Sequence, residues 1–408
     1  MKHLFIALSA KGYGETILGI RVARELQSRG DSCFFLIYES GMSLLVDTPF
    51  QHMKISEHAT ALLKIAMLVL FEKIKPDSLI LSDYFTAALA FDRAGIDPAI
   101  LKRFGIPIGA IDTWDLQRSG TAIDVFGGER RHFKDWIGLL DYRLIPVPIA
   151  RPDGNPDGPY YCCLPEPMEL SQKIRRHIRR DFGIGENERA ILFCTSNWQH
   201  SLFSNENANR LAQFLPSLLG IYLNELGPRI HFIHVGPFAY PSRVAARYHW
   251  LPPLPPDRFN MLLGSVDLLV TANASSTTIA KALVSGVPSV VLMNSRSLSS
   301  LDELRQQTGS DVPAGIAGWL RDAAPIFPFS MWPLGYYEFL KPLLSKNEYC
   351  EVVPLLEILE QDSTLDSVNA LVFDSPRRRL HIDRQLEYVK GLRRLPKASH
   401  LVPNLMLQ

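Results

Sequence analysis

Short apolar and β-branched runs recur along the first half of the chain at residues 4–8, 33–38, 78–82, 106–111 and 142–147. The second half repeats the pattern at 190–194, 230–235, 268–271 and 289–293. Stretches with helical spacing separate most of these runs; the first carries Leu18, Val22 and Leu26 on one face. Strands that read as continuous apolar runs and alternate with helices predict parallel α/β layers. Between the halves, residues 146–159 are dense in proline and glycine and continue neither a helix nor a central strand. The pattern therefore predicts two doubly wound domains, 1–165 and 166–335. A helical tail follows at 336–408, in which Ser375 caps a helix whose first position is Pro376. Residues 61–71, broken by Lys64, read as a core helix.

A length of 408 residues exceeds what one core usually supports, in agreement with two domains. The 43 Lys and Arg nearly cancel the 42 Asp and Glu, so the net charge of +1 predicts no general attraction to nucleic acid or an anionic surface. No apolar window is long enough to predict a transmembrane helix. The first ten residues have some character of a secretory leader, but the glycine turn and helix behind them favour a first strand. Cys33, Cys162, Cys163, Cys194 and Cys350 are odd in number and lack metal-ligand spacing. They predict a reduced, cytoplasmic setting and no bound metal.

Candidate chemistry gathers at the carboxyl ends of the predicted strands, where open α/β sheets place it. After the first strand come Gly12, Gly14 and Glu15. The glycines allow a tight turn and a close ligand, while Arg21 stands where a dinucleotide fingerprint would have its third glycine. Glu15 is either a base with a raised pKa or a first-turn partner of the helix dipole. Asp83, at the end of the third run, is a second carboxylate in such a place or a helix cap. Asp112 and Trp114 occupy the next strand end and read as a capping acid with a buried aromatic, or else as the lining of an acceptor pocket. The cluster Arg175, Arg176, His177, Arg179 and Arg180 reads as the solvated face of a helix.

In the second half, Thr195, Ser196 and Asn197 end a strand and offer hydroxyls and amides to a diphosphate, or form a plain turn. The strongest signal spans 267–295: a strand, then Asn273, Ser275, Ser276, Thr277 and Thr278, a short helix containing Lys281, the triplet Gly286, Val287 and Pro288, and another strand. Hydroxyls and open amides with little bulk at a helix N-terminus suit a diphosphate.

This segment resembles the donor-binding motif of GT-B glycosyltransferases, in particular the UDP-glycosyltransferases and the peptidoglycan N-acetylglucosaminyltransferase. Aligned on Gly286 and Pro288, Asn273 stands for the family's His, Ser275 for a Gly and Lys281 for the ribose-holding Glu, while Thr278 keeps the hydroxyl. Lys281 suits either an extra negative charge on the donor or solvent. Trp250 resembles the family's base-stacking Trp, with a longer gap to Asn273, or is a buried loop aromatic. Asp302 and Glu303 lie near its acidic pair for sugar hydroxyls. Glu15 stands where the family often has its His base, and Asp83 where an Asp faces the acceptor.

The resemblance implies two facing Rossmann-like domains, the first on the acceptor side and the second binding the nucleotide sugar, with 376–392 crossing back to the first. It implies a metal-independent, inverting glycosyltransferase that takes a nucleotide-diphosphate sugar and a small-molecule acceptor and needs no further cofactor. A nucleotide-sugar epimerase and a catalytically silent binding protein are the alternatives.

Overall fold

The computed structural model describes the chain apart from residues 11, 120–121, 126–128, 156–157, 201–205, 241–246, 297–299, 309–310, 324–336 and 407–408. The expected boundary at 335 and part of the proline-rich connection fall outside the described residues. Strands follow in chain order as β1 (Lys2–Ala7), β2 (Ser32–Tyr38), β3 (Gln51–Ile55), β4 (Ser78–Leu81), β5 (Ile108–Ile111), β6 (Ala122–Val125), β7 (Glu129–His132), β8 (Tyr142–Pro146) and β9 (Tyr160–Tyr161). Then come β10 (Arg189–Cys194), β11 (Ile230–Val235), β12 (Tyr248–Leu251), β13 (Leu268–Thr271), β14 (Ser289–Met293) and β15 (Leu355–Glu357).

The chain forms two units. The first comprises Met1–Ile123, Arg130–Leu164 and Gly391–Gln408; the second comprises Asp124–Glu129 and Pro165–Lys390. The first unit carries a seven-stranded sheet in the order β3-β2-β1-β4-β5-β8-β9, and the second a six-stranded sheet in the order β12-β11-β10-β13-β14-β15. Strands β6 and β7 pair separately. Neighbours in both large sheets run parallel. Each is a doubly wound sheet whose strand order reverses once, between β1 and β4 in the first unit and between β10 and β13 in the second.

Central strands are covered on both faces, and Phe5, Ile6, Ile80 and Leu81 are fully buried. Each such side chain contributes roughly 1.5–3 kcal/mol. The helix Ala398–Leu405 completes the first unit's core, where Ala398, Leu401 and Val402 join Phe5, Phe35 and Leu144. Before it, the chain has left that unit for more than half its length. Residues 337–390 belong by contact to the second unit, and β15 extends its sheet beside β14.

Two expectations change. The helix Thr60–Ile74 is not a core helix. It buries Leu63, Met67 and Leu70 but leaves Leu62, Ile65, Leu68 and Val69 about half exposed, because it lies over the sheet by one face only. The basic cluster is only partly a solvated face. In the helix Gln172–Asp181, Arg176 and Arg180 are exposed, but Arg175 and Arg179 turn inward to bind Asp267 at 2.9 and 2.8 Å. Asp267, at the amino end of β13, also accepts the Ala190 amide at 2.8 Å, and Arg378 donates to its backbone carbonyl. Guanidiniums here satisfy a buried carboxylate and the carbonyls of Ser265 and Glu188.

Candidate functional site

In each unit a group of the candidate residues lies at the carboxyl ends of the two strands that flank the reversal of strand order. There the following connections leave the sheet in opposite directions and open a crevice. In the first unit, Ile6 pairs with Leu81, so the turns after β1 and β4 emerge side by side. In the second, Cys194 pairs with Thr271, which does the same for the turns after β10 and β13.

The first unit brings Glu15 and Asp83 together there. Ser9 Oγ donates to the Gly12 carbonyl at 2.8 Å and lies 3.2 Å from Glu15 Oε2. A side chain at Gly12 would come within 3.0 Å of that same carboxylate oxygen. Gly14 begins the helix Gly14–Gln27, and Glu15 sits in its first turn. Asp83 is buried and caps the helix Tyr84–Arg93, accepting the Thr86 amide at 2.7 Å. The cap's pull toward the ionised form is outweighed: burial and then the negative charge of Glu15 raise its pKa to about 8. Burial also raises that of Glu15, partly offset by its own backbone amide and Ser9.

Asp112 and Trp114 take the structural part expected of them. Asp112 accepts the Leu116 amide at 3.1 Å and pairs with Arg143 at 3.0 Å. Burial raises it to about 6 against the pull of that guanidinium. Trp114 packs edge-on against Phe85 at 4.9 Å. Arg143 also lies 3.8 Å from Asp115, which accepts the Tyr160 hydroxyl at 2.9 Å.

The second unit places Thr195, Ser196 and Asn197 directly after β10. Ser196 and Gln199 form a reciprocal cap on the single turn Asn197–Gln199, with the Ser196 amide donating to Gln199 Oε1 at 2.9 Å. After β13, Asn273 Oδ1 accepts both the amide and the hydroxyl of Ser275 at 3.0 Å. Ser276 caps the helix Thr277–Val284 by accepting the Thr278 amide at 3.3 Å. Tyr349 pins this turn from beneath by donating to the Ala274 carbonyl at 2.7 Å. Asn273 and Ser275 thus shape the turn, while Ser276, Thr277 and Thr278 open the helix beside the 195–197 loop.

Three candidates lie elsewhere. Lys281 donates to Asn260 Oδ1 at 2.9 Å and stands over the Phe259 ring, on the side of the neighbouring helix Pro256–Ser265. Trp250 lies on the edge strand β12, 39% exposed, and donates to the Gly236 carbonyl at 3.1 Å. Asp302 is exposed and pairs with Arg305 at 3.0 Å within its own helix. The acid that the structure sets at a strand end is instead Glu357, closing β15, which accepts the Ser295 amide and hydroxyl at 2.7 and 2.6 Å. Burial raises its pKa. A strand of three residues gives no periodic signal, so the sequence could not flag it.

Solved structures share this architecture over nearly the whole chain. The spinosyn rhamnosyltransferase SpnG complexed with spinosyn aglycone is 13% identical with a TM-score of 0.57, over 99% of this chain and 100% of that one. SpnG complexed with thymidine diphosphate gives 0.53 at 13% identity and the same coverage. The glycosyltransferase SnogD from Streptomyces nogalater gives 0.51 at 12% identity, over 100% of this chain and 99% of that one. The fold is therefore that of the GT-B glycosyltransferases, two Rossmann-like units in one chain. No curated protein matches the sequence. Residues 22–406 match the model of DUF6365, a family of unknown function, and the chain belongs to that family.

Proposed function

We propose that this protein is an inverting, metal-independent glycosyltransferase that moves a sugar from a nucleotide-diphosphate sugar to a hydroxyl of a small-molecule acceptor. One observation carries the reading. Each sheet sets chemistry-bearing side chains at its own point of strand reversal, carboxylates in the first unit and hydroxyls at a helix N-terminus in the second. The first unit takes the acceptor and the second the donor. SpnG structures with an aglycone and with thymidine diphosphate lend support by fold.

The acceptor oxygen attacks the anomeric carbon as the bond from that carbon to the diphosphate breaks. The acceptor's proton goes to the ionised member of the Glu15 and Asp83 pair, and the bond electrons leave with the nucleoside diphosphate. Burial favours one shared proton, which leaves one carboxylate as base and the other as its neutral partner. Hydroxyls of Thr195, Ser196, Ser276, Thr277 and Thr278, with the dipole of the helix Thr277–Val284, stabilise the leaving diphosphate, the task a cation performs elsewhere. No helix among the described residues is long and apolar enough to cross a membrane. We place the protein in the cytoplasm, on the odd number and the spacing of its cysteines.

The test is incubation with a panel of nucleotide sugars, following nucleotide release and sugar isomers together. Slow donor hydrolysis that is lost in Thr278→Val supports transfer. A new sugar isomer without release assigns an epimerase instead, and tight binding without turnover a silent binder. If no nucleotide sugar binds, the reading fails.

A further inference from the structure

Behind the 195–197 loop runs a line of hydrogen bonds that no step of transfer uses directly. His234, fully buried in β11, sets Nε2 2.7 Å from Thr195 Oγ1 and Nδ1 2.7 Å from Tyr248 Oη. Tyr248 Oη in turn accepts the Tyr240 amide at 3.0 Å. Gly236 closes the arrangement, since a Cβ there would lie 2.1 Å from Thr195 Oγ1 and 2.7 Å from His234 Nε2. Thr195, half-buried at the mouth of this line, is the one member of it in the candidate diphosphate loop.

We propose that His234 and Tyr248 are positioning residues that fix the Thr195 hydroxyl as a hydrogen-bond donor to the diphosphate of the nucleotide. This rests on the reading of residues 195–197 as part of the donor site. The Tyr248 oxygen already accepts an amide, which leaves its own proton for His234 Nδ1. Nε2 then carries the ring proton and donates to Thr195 Oγ1. The threonine's proton is left to point outward, where an anionic oxygen accepts it. The opposite tautomer takes that proton at Nε2 and presents the ligand only lone pairs, so a bound phosphate selects the first arrangement. Burial keeps the ring neutral by lowering its pKa to about 3, so it switches tautomer rather than charge. The Tyr240 hydroxyl is the rival acceptor, buried close enough to Thr195 to interact with it.

Calorimetric titration with uridine and thymidine diphosphates, and with the matching nucleosides, tests this on the full chain. Thr195→Val and Tyr248→Phe are each expected to weaken the diphosphates about tenfold and the nucleosides hardly at all. Tyr240→Phe is expected to leave both unchanged. In turnover, Tyr248→Phe is expected to raise KM for the donor more than it lowers kcat. Because His234→Ala opens a buried site and endangers folding, the histidine is read in the intact protein by ¹⁵N chemical shifts. With diphosphate bound, Nε2 is expected to carry the proton, and Tyr248→Phe to mix the tautomers. A proton on Nδ1 in that complex overturns the proposal. So does undiminished diphosphate affinity in Thr195→Val, or a loss in Tyr240→Phe as large as in Thr195→Val. If Thr278→Val weakens the diphosphate while Thr195→Val does not, the relay fails and the donor site stands. If neither nucleotide binds the wild-type protein, both fall.

Discussion

The two units share a doubly wound plan, yet they fill the same topological position with opposite chemistry. At the reversal in the first sheet stand Glu15 and Asp83, carboxyl groups whose pKa burial raises, that of Asp83 further through the charge of Glu15. At the reversal in the second stand uncharged groups, the hydroxyl-bearing Thr195 loop and the Ser276-capped helix. One position stores a proton, and the other, on the function proposed above, receives negative charge. The amino ends of the strands do neither; there Asp267 and its arginines satisfy one another. The plan of the sheet therefore decides where these groups sit, and the residues on the turns decide which chemistry each unit offers there.

The sharpest way to break this comparison is to neutralise the carboxylates one at a time. Glu15→Gln or Asp83→Asn, whichever removes the base, is expected to lower kcat by roughly 10²- to 10⁴-fold, while the other costs much less. Steady-state rates across pH separate the two. The ionisation near pH 8 is expected to vanish in Asp83→Asn, and equal small losses in both variants would remove the carboxylates from the mechanism.

Stability should report the same asymmetry. With a folded pKa of about 8 against an ordinary 3.8, Asp83 keeps a proton in the native state that the unfolded chain has released. Unfolding free energy therefore falls as pH rises across that window, and the penalty is complete above it. Thermal melts from pH 5 to 9 are expected to slope less in Asp83→Asn, which keeps the helix cap. Thr278→Val, at the matching place in the second unit, should leave the slope untouched.

A smaller effect is expected on binding. Thr278→Val should weaken a nucleoside diphosphate about tenfold with little change in melting temperature, as calorimetry would show. Smallest of all, Ser276→Ala removes a cap and should destabilise by about 1 kcal/mol in denaturant titrations, a value that would rise if the cap also carried the turn.

The central strands of both sheets were legible as apolar runs because helices cover them on both faces. Strands that escaped the pattern in the large sheets, β3, β9, β12 and β15, are the edges. Edges are short or half-exposed, and Gln51–Ile55 has mostly exposed positions. Glycine turns, caps and the hydroxyl-rich segment were legible for a similar reason, since each satisfies a local backbone need. Nothing local could pair Glu15 with Asp83, because that depends on β1 and β4 being neighbours. Nor could it turn Lys281 toward Asn260 or tie His234 to Thr195, which only the packed side chains determine.

The helix Ala398–Leu405 sets an order of events in synthesis. Its Leu401 and Val402 share a core with Phe5 of β1, so that core stays incomplete until the intervening residues 165–390 have been made. The second unit can therefore fold while the first still waits for this helix.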